Sequence, residues 1–272
     1  MSLFLLNKFK LFNINCHILL LGDYVSILNA FFISTIAGMS TLLGGIVIFF
    51  NIRKDNINKF ITFCLSFSIA VMIGISITDL IPSSFFTILL NISIGKAIFT
   101  ILLSFILGVI LINIINKIMK DDNNSLYKLG ILSMIALMLH NFPEGIATFI
   151  GSIKDSSLGI KLAISIMFHN IPEGISIAVP IYYATKSKKK AIFHTFLSGF
   201  AEPLGALLAY LFLKKYVTDI MISSVLLFVA GLMITLSINE MLPKALSYKQ
   251  NKFIYIGLII GIILVLINHF SF

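Results

Sequence analysis

Two nearly identical six-residue stretches hold side chains that can bind a metal ion. They read HNFPEG at His140–Gly145 and HNIPEG at His169–Gly174. In each stretch the histidine and the glutamate are four residues apart, so on a helix both project from one face. Imidazole nitrogens and carboxylate oxygens suit a borderline divalent metal such as Zn²⁺. The pair of stretches therefore predicts a metal site made of His140, Glu144, His169 and Glu173.

The other motif positions add oxygen ligands and disturb the helix. Asn141 and Asn170 each follow the histidine, about 100° further round a helix, and offer a harder oxygen ligand. Pro143 and Pro172 lack a backbone N–H, and their rings press on the carbonyl four residues back. We therefore expect a kink in both helices at the motif.

These polar motifs lie in a chain that is apolar almost throughout. Of its 272 residues 58% are hydrophobic and 11% are charged, and the mean hydropathy is +1.05. A soluble domain has about a quarter of its residues charged, so the bilayer is the natural solvent for this chain. The apolar runs are continuous and do not alternate, which indicates helices. The predicted fold class is an all-α polytopic membrane protein.

Eight apolar runs are long enough to cross a bilayer, for which a helix needs about 20 residues. The predicted spans, in chain order, are Val25–Phe50, Phe60–Pro82, Ala97–Met119, Leu129–Gly151, Leu158–Ala184, Ala191–Leu213, Ile220–Pro243 and Phe253–Phe270. The connectors are short, so residues 25–272 are predicted to form a single transmembrane domain. Residues 1–24 are interpreted as an interfacial or dispensable N-terminal extension. Cys16 and Cys64 give no disulfide framework.

Spans 4, 5 and 6 each place ionisable or polar groups near mid-bilayer depth. Their midpoints are His140, Ile171 and Glu202. A charge at this depth costs at least about 2.5–3.5 kcal/mol, and no lysine or arginine lies in the middle of any span to pair with it. The missing partner is most simply a cation. We expect Asn141, Asn170 and Glu202 to form an oxygen-only site beside the His/Glu site.

A second sequence duplication points to an internal repeat. Span 2 ends in SITDLIP at Ser76–Pro82, and span 7 ends in SINEMLP at Ser237–Pro243. In the eight-span topology these two spans run in opposite directions, which predicts an inverted repeat of spans 1–3 and 6–8 with spans 4–5 between them. Inverted repeats are common in secondary transporters. The alternative is coincidence, because proline after an apolar helix is common.

The charge distribution bears on orientation and partners. The net charge is +9, and no basic stretch is interleaved with stacking aromatics, so we exclude nucleic acid as a partner. About two thirds of the 20 lysines and arginines fall in loops on one side, which is predicted to be cytoplasmic. Both termini are then extracytoplasmic, in a multi-pass protein of the cell membrane.

Three classes of function compete for such a site. Besides transport, the chain could be an intramembrane metallohydrolase, or it could hold a structural or sensory metal. A hydrolase often carries His-Glu-x-x-His on one helix, and that sequence does not occur here. The inverted repeat favours transport.

Eight spans with His-Asn-x-Pro-Glu-Gly in the fourth and a matching motif in the fifth resemble the ZIP (Zrt/Irt-like) metal transporters. The doubled form most resembles the bacterial zinc-uptake (ZupT-like) subgroup, and the resemblance extends from about Val25 to the C-terminus. It implies uptake of divalent metal into the cytoplasm by alternating access. The metal, Zn²⁺ first and also Fe²⁺, Mn²⁺, Co²⁺ or Cd²⁺, is then the transported substrate. No cofactor and no catalytic residue are implied.

The resemblance also implies roles for particular residues. Glu144 and Glu173 would bridge two metals, and spans 1, 4, 5 and 6 would move against spans 2, 3, 7 and 8. Asp79 near the outer end and Glu240 near the inner end would be entrance and exit groups, although each is equally a helix-end charge. Many relatives have a histidine-rich loop after span 3, whereas here that loop is KDDNNSLYK, so metal sensing by it is doubtful.

Span 6 has two further features, a histidine near its start and a stripe of small residues. His194 is interpreted as an interfacial residue rather than as a metal ligand. Small residues allow close helix packing, either within the chain or in a homodimer. They are Ser198, Gly199, Gly205, Ala206 and Ala209.

Overall fold

The structure is a computed structural model that describes residues 26–119, 125–154, 156–213 and 218–271. These residues form eight helices that are long and apolar enough to cross a membrane. The predicted fold class is therefore confirmed. The predicted N-terminal extension, residues 1–24, lies outside the described residues.

The helices are numbered α1 to α8 in chain order. Their bounds are Ser26–Phe49, Lys54–Asn91, Ile94–Ile118, Ser125–Lys154, Ser156–Thr185, Lys188–Leu208, Asp219–Ser247 and Asn251–Ser271. α6 continues as a π-helical segment over Ala209–Leu213. α1 ends in a 3₁₀ turn, Ile46–Phe49, and α2 begins with another, Lys54–Asn56.

The second helix is much longer than predicted. The sequence predicts its end at Pro82 and a connector over Ser83–Lys96, but the helix continues to Asn91. Pro82 lies in the first turn of the final helical segment, Ile81–Asn91, where proline is well tolerated. Pro82 therefore follows a π-helical turn inside the helix and does not end it.

The two SI-x-x-x-x-P sequences adopt the same succession of structures. Ser76–Leu80 and Ser237–Met241 are π-helical, and each precedes a helical segment with proline in its first turn. Side chains of the two helices also contact each other in matching Ser–Met pairs. Ser76 Oγ lies 3.9 Å from Met233 Sδ, and Ser237 Oγ lies 3.9 Å from Met72 Sδ. This reciprocal arrangement supports the predicted relationship between α2 and α7, and the inverted repeat of spans 1–3 and 6–8 stays a prediction.

The close contacts of the glycines, together with the Ser–Met contacts between α2 and α7, divide the helices into two groups. In one group α3 and α7 approach closely, since a Cβ on Gly108 would lie 1.9 Å from the Phe228 carbonyl oxygen. In the same group Gly257 and Gly261 of α8 face the backbone of α2. In the other group α1, α4, α5 and α6 meet in the same way. The close contacts of every described glycine fall within one group. The groups are α1, α4, α5, α6 and α2, α3, α7, α8.

The small residues of α6 serve contacts within the chain. A Cβ on Gly199 would lie 2.4 Å from the Gly38 carbonyl oxygen on α1, and one on Gly205 would lie 2.0 Å from the Phe142 carbonyl oxygen on α4. Ala206 and Ala209 are fully buried and pack near Ala30 and Phe149. This stripe is therefore occupied, and a homodimer would need another surface.

Candidate metal-binding site

The two motif copies lie side by side on neighbouring helices. α4 carries the first copy and α5 the second, and both helices continue through the motif prolines, Pro143 and Pro172. The predicted kinks at these prolines stay predictions. The seven predicted ligands are all buried, at 0–5% exposure. They are His140, Asn141, Glu144, His169, Asn170, Glu173 and Glu202.

Glu144 connects the two histidines. Its Oε1 lies 3.0 Å from His169 Nε2, in hydrogen-bonding geometry, and 3.2 Å from His140 Nε2. His140 Nε2 is also 3.5 Å from Glu173 Oε1. The ligand atoms of His140, Glu144 and His169 lie within 4.8 Å of one another, which one metal ion could span. The structure therefore brings together the four side chains that the sequence grouped as one site.

Many polar atoms of this cluster are buried without a hydrogen-bond partner. Such atoms are costly unless something satisfies them. Within the described part of the protein they include His140 Nδ1 and Nε2, Asn141 Oδ1, Glu144 Oε2, His169 Nδ1, Asn170 Oδ1, Glu173 Oε1 and Oε2, and Glu202 Oε1. Each of these atoms can offer a lone pair to a metal ion, the imidazole nitrogens once they carry no proton. Among the described residues, the partners of the three carboxylates include no lysine or arginine. A bound cation would satisfy them.

The two asparagines are held so that their oxygens stay available. Asn141 donates its amide N–H to the Ser198 carbonyl on α6 (3.0 Å), and Asn170 donates to the Ala37 carbonyl on α1 (2.9 Å). The amide nitrogens are thus used for positioning. The amide oxygens of both residues lack a protein partner and can serve as ligands.

The motif glycines reinforce the same docking. A Cβ on Gly145 would lie 1.9 Å from the Glu202 carbonyl oxygen, and one on Gly174 would lie 1.9 Å from the Thr41 carbonyl oxygen. Each motif copy therefore contacts its neighbouring helix twice, one helical turn apart. The first copy docks on α6 through Asn141 and Gly145, and the second docks on α1 through Asn170 and Gly174. This repetition gives Asn and Gly a structural reason to occur in both copies.

Glu202 joins the cluster from α6. Its Oε2 accepts a hydrogen bond of 3.3 Å from Asn170 Nδ2, and its Oε1 is buried without a partner. Gly38 on α1 makes room for it, because a Cβ there would lie 2.7 Å from Glu202 Cβ. The structure therefore places Glu202 beside Asn170, as its mid-bilayer position predicts.

A cavity of about 160 Å³ links the cluster to Asp79. Glu144 and His169 line it together with Asp79 and Asn268. Asp79 Oδ1 is 3.0 Å from His269 Nδ1, and these side chains are 38% and 42% exposed. The cavity therefore lies between the partly exposed Asp79 and the buried metal-binding cluster.

Sequence reasoning missed Asn268 and His269 at the end of α8. Asn268 is buried, and its Oδ1 has no partner. The signal was present, since Asn268 and His269 form a polar pair in an otherwise apolar final helix. Their distance in sequence from Asp79 hid the contact.

Glu240 and His194 lie outside the metal-binding cluster. Glu240 accepts a hydrogen bond from Asn116 Nδ2 on α3, so it lies within the α2, α3, α7, α8 group, and its exit role stays a prediction. His194 is half-buried, with Nδ1 2.7 Å from the Lys190 carbonyl oxygen of its own helix. The structure thus keeps His194 apart from the metal-binding cluster.

Comparison with known proteins yields a consistent set of relatives. The family described as ZIP Zinc transporter matches residues 120–269. The chain is similar to the zinc transporter ZupT of Streptococcus mutans, with 35% identity over 255 residues, 88% of this chain and 96% of that protein. It is 37% identical to ZupT of Oceanobacillus iheyensis over 263 residues, 89% of this chain and 97% of that protein. For ZupT of Clostridium perfringens the identity is 33% over 279 residues, with 91% and 97% covered.

Proposed function

Because the chain belongs to the ZIP zinc transporter family, we propose that it imports divalent metal ions into the cytoplasm through the cluster between α4, α5 and α6. The observation that carries the proposal is the 3.0 Å contact of His169 Nε2 with Glu144 Oε1, which joins the two motif copies into one ligand set. Zn²⁺ is the first substrate, as the names of the relatives suggest. Nitrogen and oxygen ligands would also accept Fe²⁺, Mn²⁺, Co²⁺ or Cd²⁺.

We assign the ligands to two adjacent sites. His140, Glu144, His169 and Glu173 form the first. The oxygens of Asn141, Asn170 and Glu202 form the second, with Glu144 and Glu173 shared between the two. The buried atoms without partners on each of these residues support this assignment.

The charge of the cluster supports one or two ions. Three buried carboxylates carry three negative charges, and the histidines are neutral when they bind metal. One divalent ion leaves one negative charge, and two ions leave one positive charge. Both states are much closer to neutral than the empty cluster, and a low-dielectric interior favours near-neutrality.

We propose that metal enters by way of Asp79 and His269. The partly exposed Asp79 carboxylate attracts cations to the mouth of the cavity that Glu144 and His169 line at depth, and the His269 imidazole beside it offers a nitrogen ligand. Asn268 Oδ1 and Thr148 Oγ1, both buried without a partner, offer oxygens along this cavity. The predicted orientation, with both termini extracytoplasmic, places this mouth on the outer side.

The division of the helices into two groups, α1, α4, α5, α6 and α2, α3, α7, α8, supports alternating access by movement of one group relative to the other. The metal ligands all belong to α4, α5 and α6, so they would travel together as one body. Ser68 on α2 donates a hydrogen bond of 2.7 Å to the Pro172 carbonyl on α5, which crosses between the groups. Because such movement would break this hydrogen bond, the bond would stabilise the arrangement of the two groups described above.

Metal uptake by proteoliposomes tests the proposal. Purified protein is reconstituted into sealed vesicles, and uptake of ⁶⁵Zn is measured alone and in competition with Fe²⁺, Mn²⁺, Co²⁺ and Cd²⁺. Glu173→Ala is the inactive control, and Thr185→Ala, which removes a half-buried hydroxyl at the end of the same helix, is the matched active one. Uptake by Glu173→Ala at the wild-type rate would refute the site. Wild-type protein that accumulates no metal in intact vesicles would refute transport and favour a hydrolase or a structural site.

A further inference from the structure

A second groove lies away from the metal-binding cluster, where α2 and α8 begin. It has a volume of about 570 Å³ and is lined by the segment that joins α1 to α2 and by the first turns of both helices. None of the metal-binding residues contributes to it. Its lining divides into a polar rim and an apolar floor.

The rim is cationic. Arg53 is exposed, and Lys59 donates a hydrogen bond of 3.0 Å from Nζ to Asn56 Oδ1. Asn51 and Asn56 also line the groove and supply amide groups beside the two cations. Asp55, the acidic residue of this segment, does not line it. The rim therefore offers hydrogen-bond donors and two positive charges to a ligand.

The floor is apolar and firmly packed. Phe60 and Phe63 on α2 face Phe253 and Ile256 on α8, and all four are half-buried. Phe63 stacks on Phe67, with ring centroids 6.2 Å apart and planes at 9°. The floor thus continues from the charged helix starts into the apolar spans.

We infer that this groove binds an anionic phospholipid. The phosphodiester headgroup contacts Arg53 and Lys59, and an acyl chain lies on the floor formed by Phe60, Phe63, Phe253 and Ile256. A guanidinium fork matches phosphate oxygens, and an ammonium acts as a compact second charge. Basic pockets at the ends of transmembrane helices are suited to anionic headgroups, which the cytoplasmic leaflet supplies.

The succession of charge and apolar surface favours lipid over free phosphate or a protein segment. A free anion would use the rim alone and leave the aromatic floor uncovered. A bilayer phospholipid presents its charge and its chains in the order that the groove does. Because the floor residues belong to α2 and α8, the acyl chain would be held by the α2, α3, α7, α8 group, and the headgroup by Lys59 of α2 and Arg53 of the segment that precedes it.

Native mass spectrometry of the full-length protein in detergent tests the inference. Dioleoylphosphatidylglycerol is titrated against dioleoylphosphatidylcholine, which has the same chains and no net charge. The test variant is Arg53→Ala with Lys59→Ala. The matched control is Lys189→Ala with Lys190→Ala, which removes two exposed lysines outside the groove. We expect the apparent Kd for phosphatidylglycerol to rise about tenfold or more in the test variant and to stay unchanged in the control.

Two further arms identify the ligand. Phe253→Ala should weaken binding of both lipids, and millimolar inorganic phosphate should fail to displace phosphatidylglycerol. An unchanged Kd in the Arg53 and Lys59 variant, equal binding of the two lipids, or displacement by phosphate would each overturn the inference. Zinc uptake by the same variants shows that they are folded, and its failure in wild type would refute the transport proposal without affecting the lipid result.

Discussion

His169 Nε2 and Glu144 Oε1 lie 3.0 Å apart although they come from different copies of the motif. Glu144 Oε1 also lies 3.2 Å from His140 Nε2, so one carboxylate faces both imidazoles. Glu202, by contrast, contacts Asn170 on the oxygen-rich side. The carboxylates of the cluster are therefore not equivalent.

This difference predicts an order of mutational severity. Glu144→Gln should lower the rate of zinc uptake by at least about 100-fold, because loss of even an outer partner of a metal ligand costs 10–100-fold. Glu202→Gln should leave measurable uptake, since the His/Glu ligands remain. Rates of ⁶⁵Zn uptake at equal amounts of protein per vesicle check the order. Greater loss in Glu202→Gln than in Glu144→Gln would contradict the assignment.

The motif glycines should be intolerant of a single methyl group. In Gly145→Ala and Gly174→Ala the new Cβ would lie 1.9 Å from a backbone carbonyl oxygen, so helices must separate. We expect each to be destabilised by at least about 1–3 kcal/mol, as for overpacked cores. Thermal unfolding in detergent measures this.

Gly95→Ala is the matched control for these substitutions. Its Cβ would meet nothing within 4 Å, and alanine favours the helix by about 0.5–1 kcal/mol. The control should melt at or slightly above the wild-type temperature. Gly145→Ala or Gly174→Ala melting with the control would show that the close docking described here is wrong.

Uptake should depend on pH in a definite direction. A protonated imidazole has no lone pair for a metal, so protons compete with Zn²⁺ at His140 and His169. Because histidine titrates near pH 6.5 when unperturbed, zinc uptake should be slower at about pH 5 than at about pH 8. The rate is measured with equal pH on both sides of the vesicle membrane, which removes any proton gradient. A rate that is constant over this range would argue against ligation by the histidines.

The pair at the cavity mouth should affect capture more than turnover. Asp79→Asn and His269→Ala remove groups 3.0 Å apart that are partly exposed. We expect the KM for zinc to rise about tenfold with little change in maximal rate, since the Asp79 carboxylate raises the local cation concentration and the His269 imidazole offers a ligand there. His194→Ala, which removes a half-buried histidine outside the cavity, is the control. A fall in maximal rate at constant KM would refute the entrance role.

Ser68 should influence the rate of the conformational cycle. Its hydroxyl donates to the Pro172 carbonyl between the two helix groups, and such a bond contributes about 1 kcal/mol, or about fivefold in a two-state ratio. Ser68→Ala should change the maximal rate by up to that factor and leave equilibrium zinc binding unaltered. Ser66→Ala, which removes a buried hydroxyl without a partner from the same helix, should behave as wild type. Weakened zinc binding in Ser68→Ala would instead place Ser68 in the metal site.

Much of the fold followed from hydropathy, because apolar length decides which segments can cross a bilayer. The ligands that the structure brings together could be predicted for a similar reason. An ionisable group near the middle of the bilayer needs a partner, and both Glu202 and His140 lie at the midpoints of their predicted spans. Local sequence did not predict the continuation of α2 through Pro82. That continuation depends on a π-helical turn, Ser76–Leu80, which places the proline in a tolerant position.

Contacts between distant segments were beyond local sequence. Asp79 meets His269 across 190 residues, and Ser68 meets Pro172 across 104. Asn141 and Asn170 were predicted only as ligands, whereas their amide nitrogens also dock the motif on α6 and α1. That second role depends on the Ser198 and Ala37 carbonyls, which belong to other helices and cannot be identified from the motif alone.

The distribution of glycine contacts constrains how sequences of this kind can diverge. Within each helix group a glycine faces a neighbouring backbone, so a larger residue there must be accompanied by displacement of a helix. The described glycines make no close contact across the seam, the interface between the two helix groups. At the seam, side chains can therefore change size one at a time. A directed-evolution library confined to the seam should therefore retain more active variants than an equal library drawn from the glycine-lined faces.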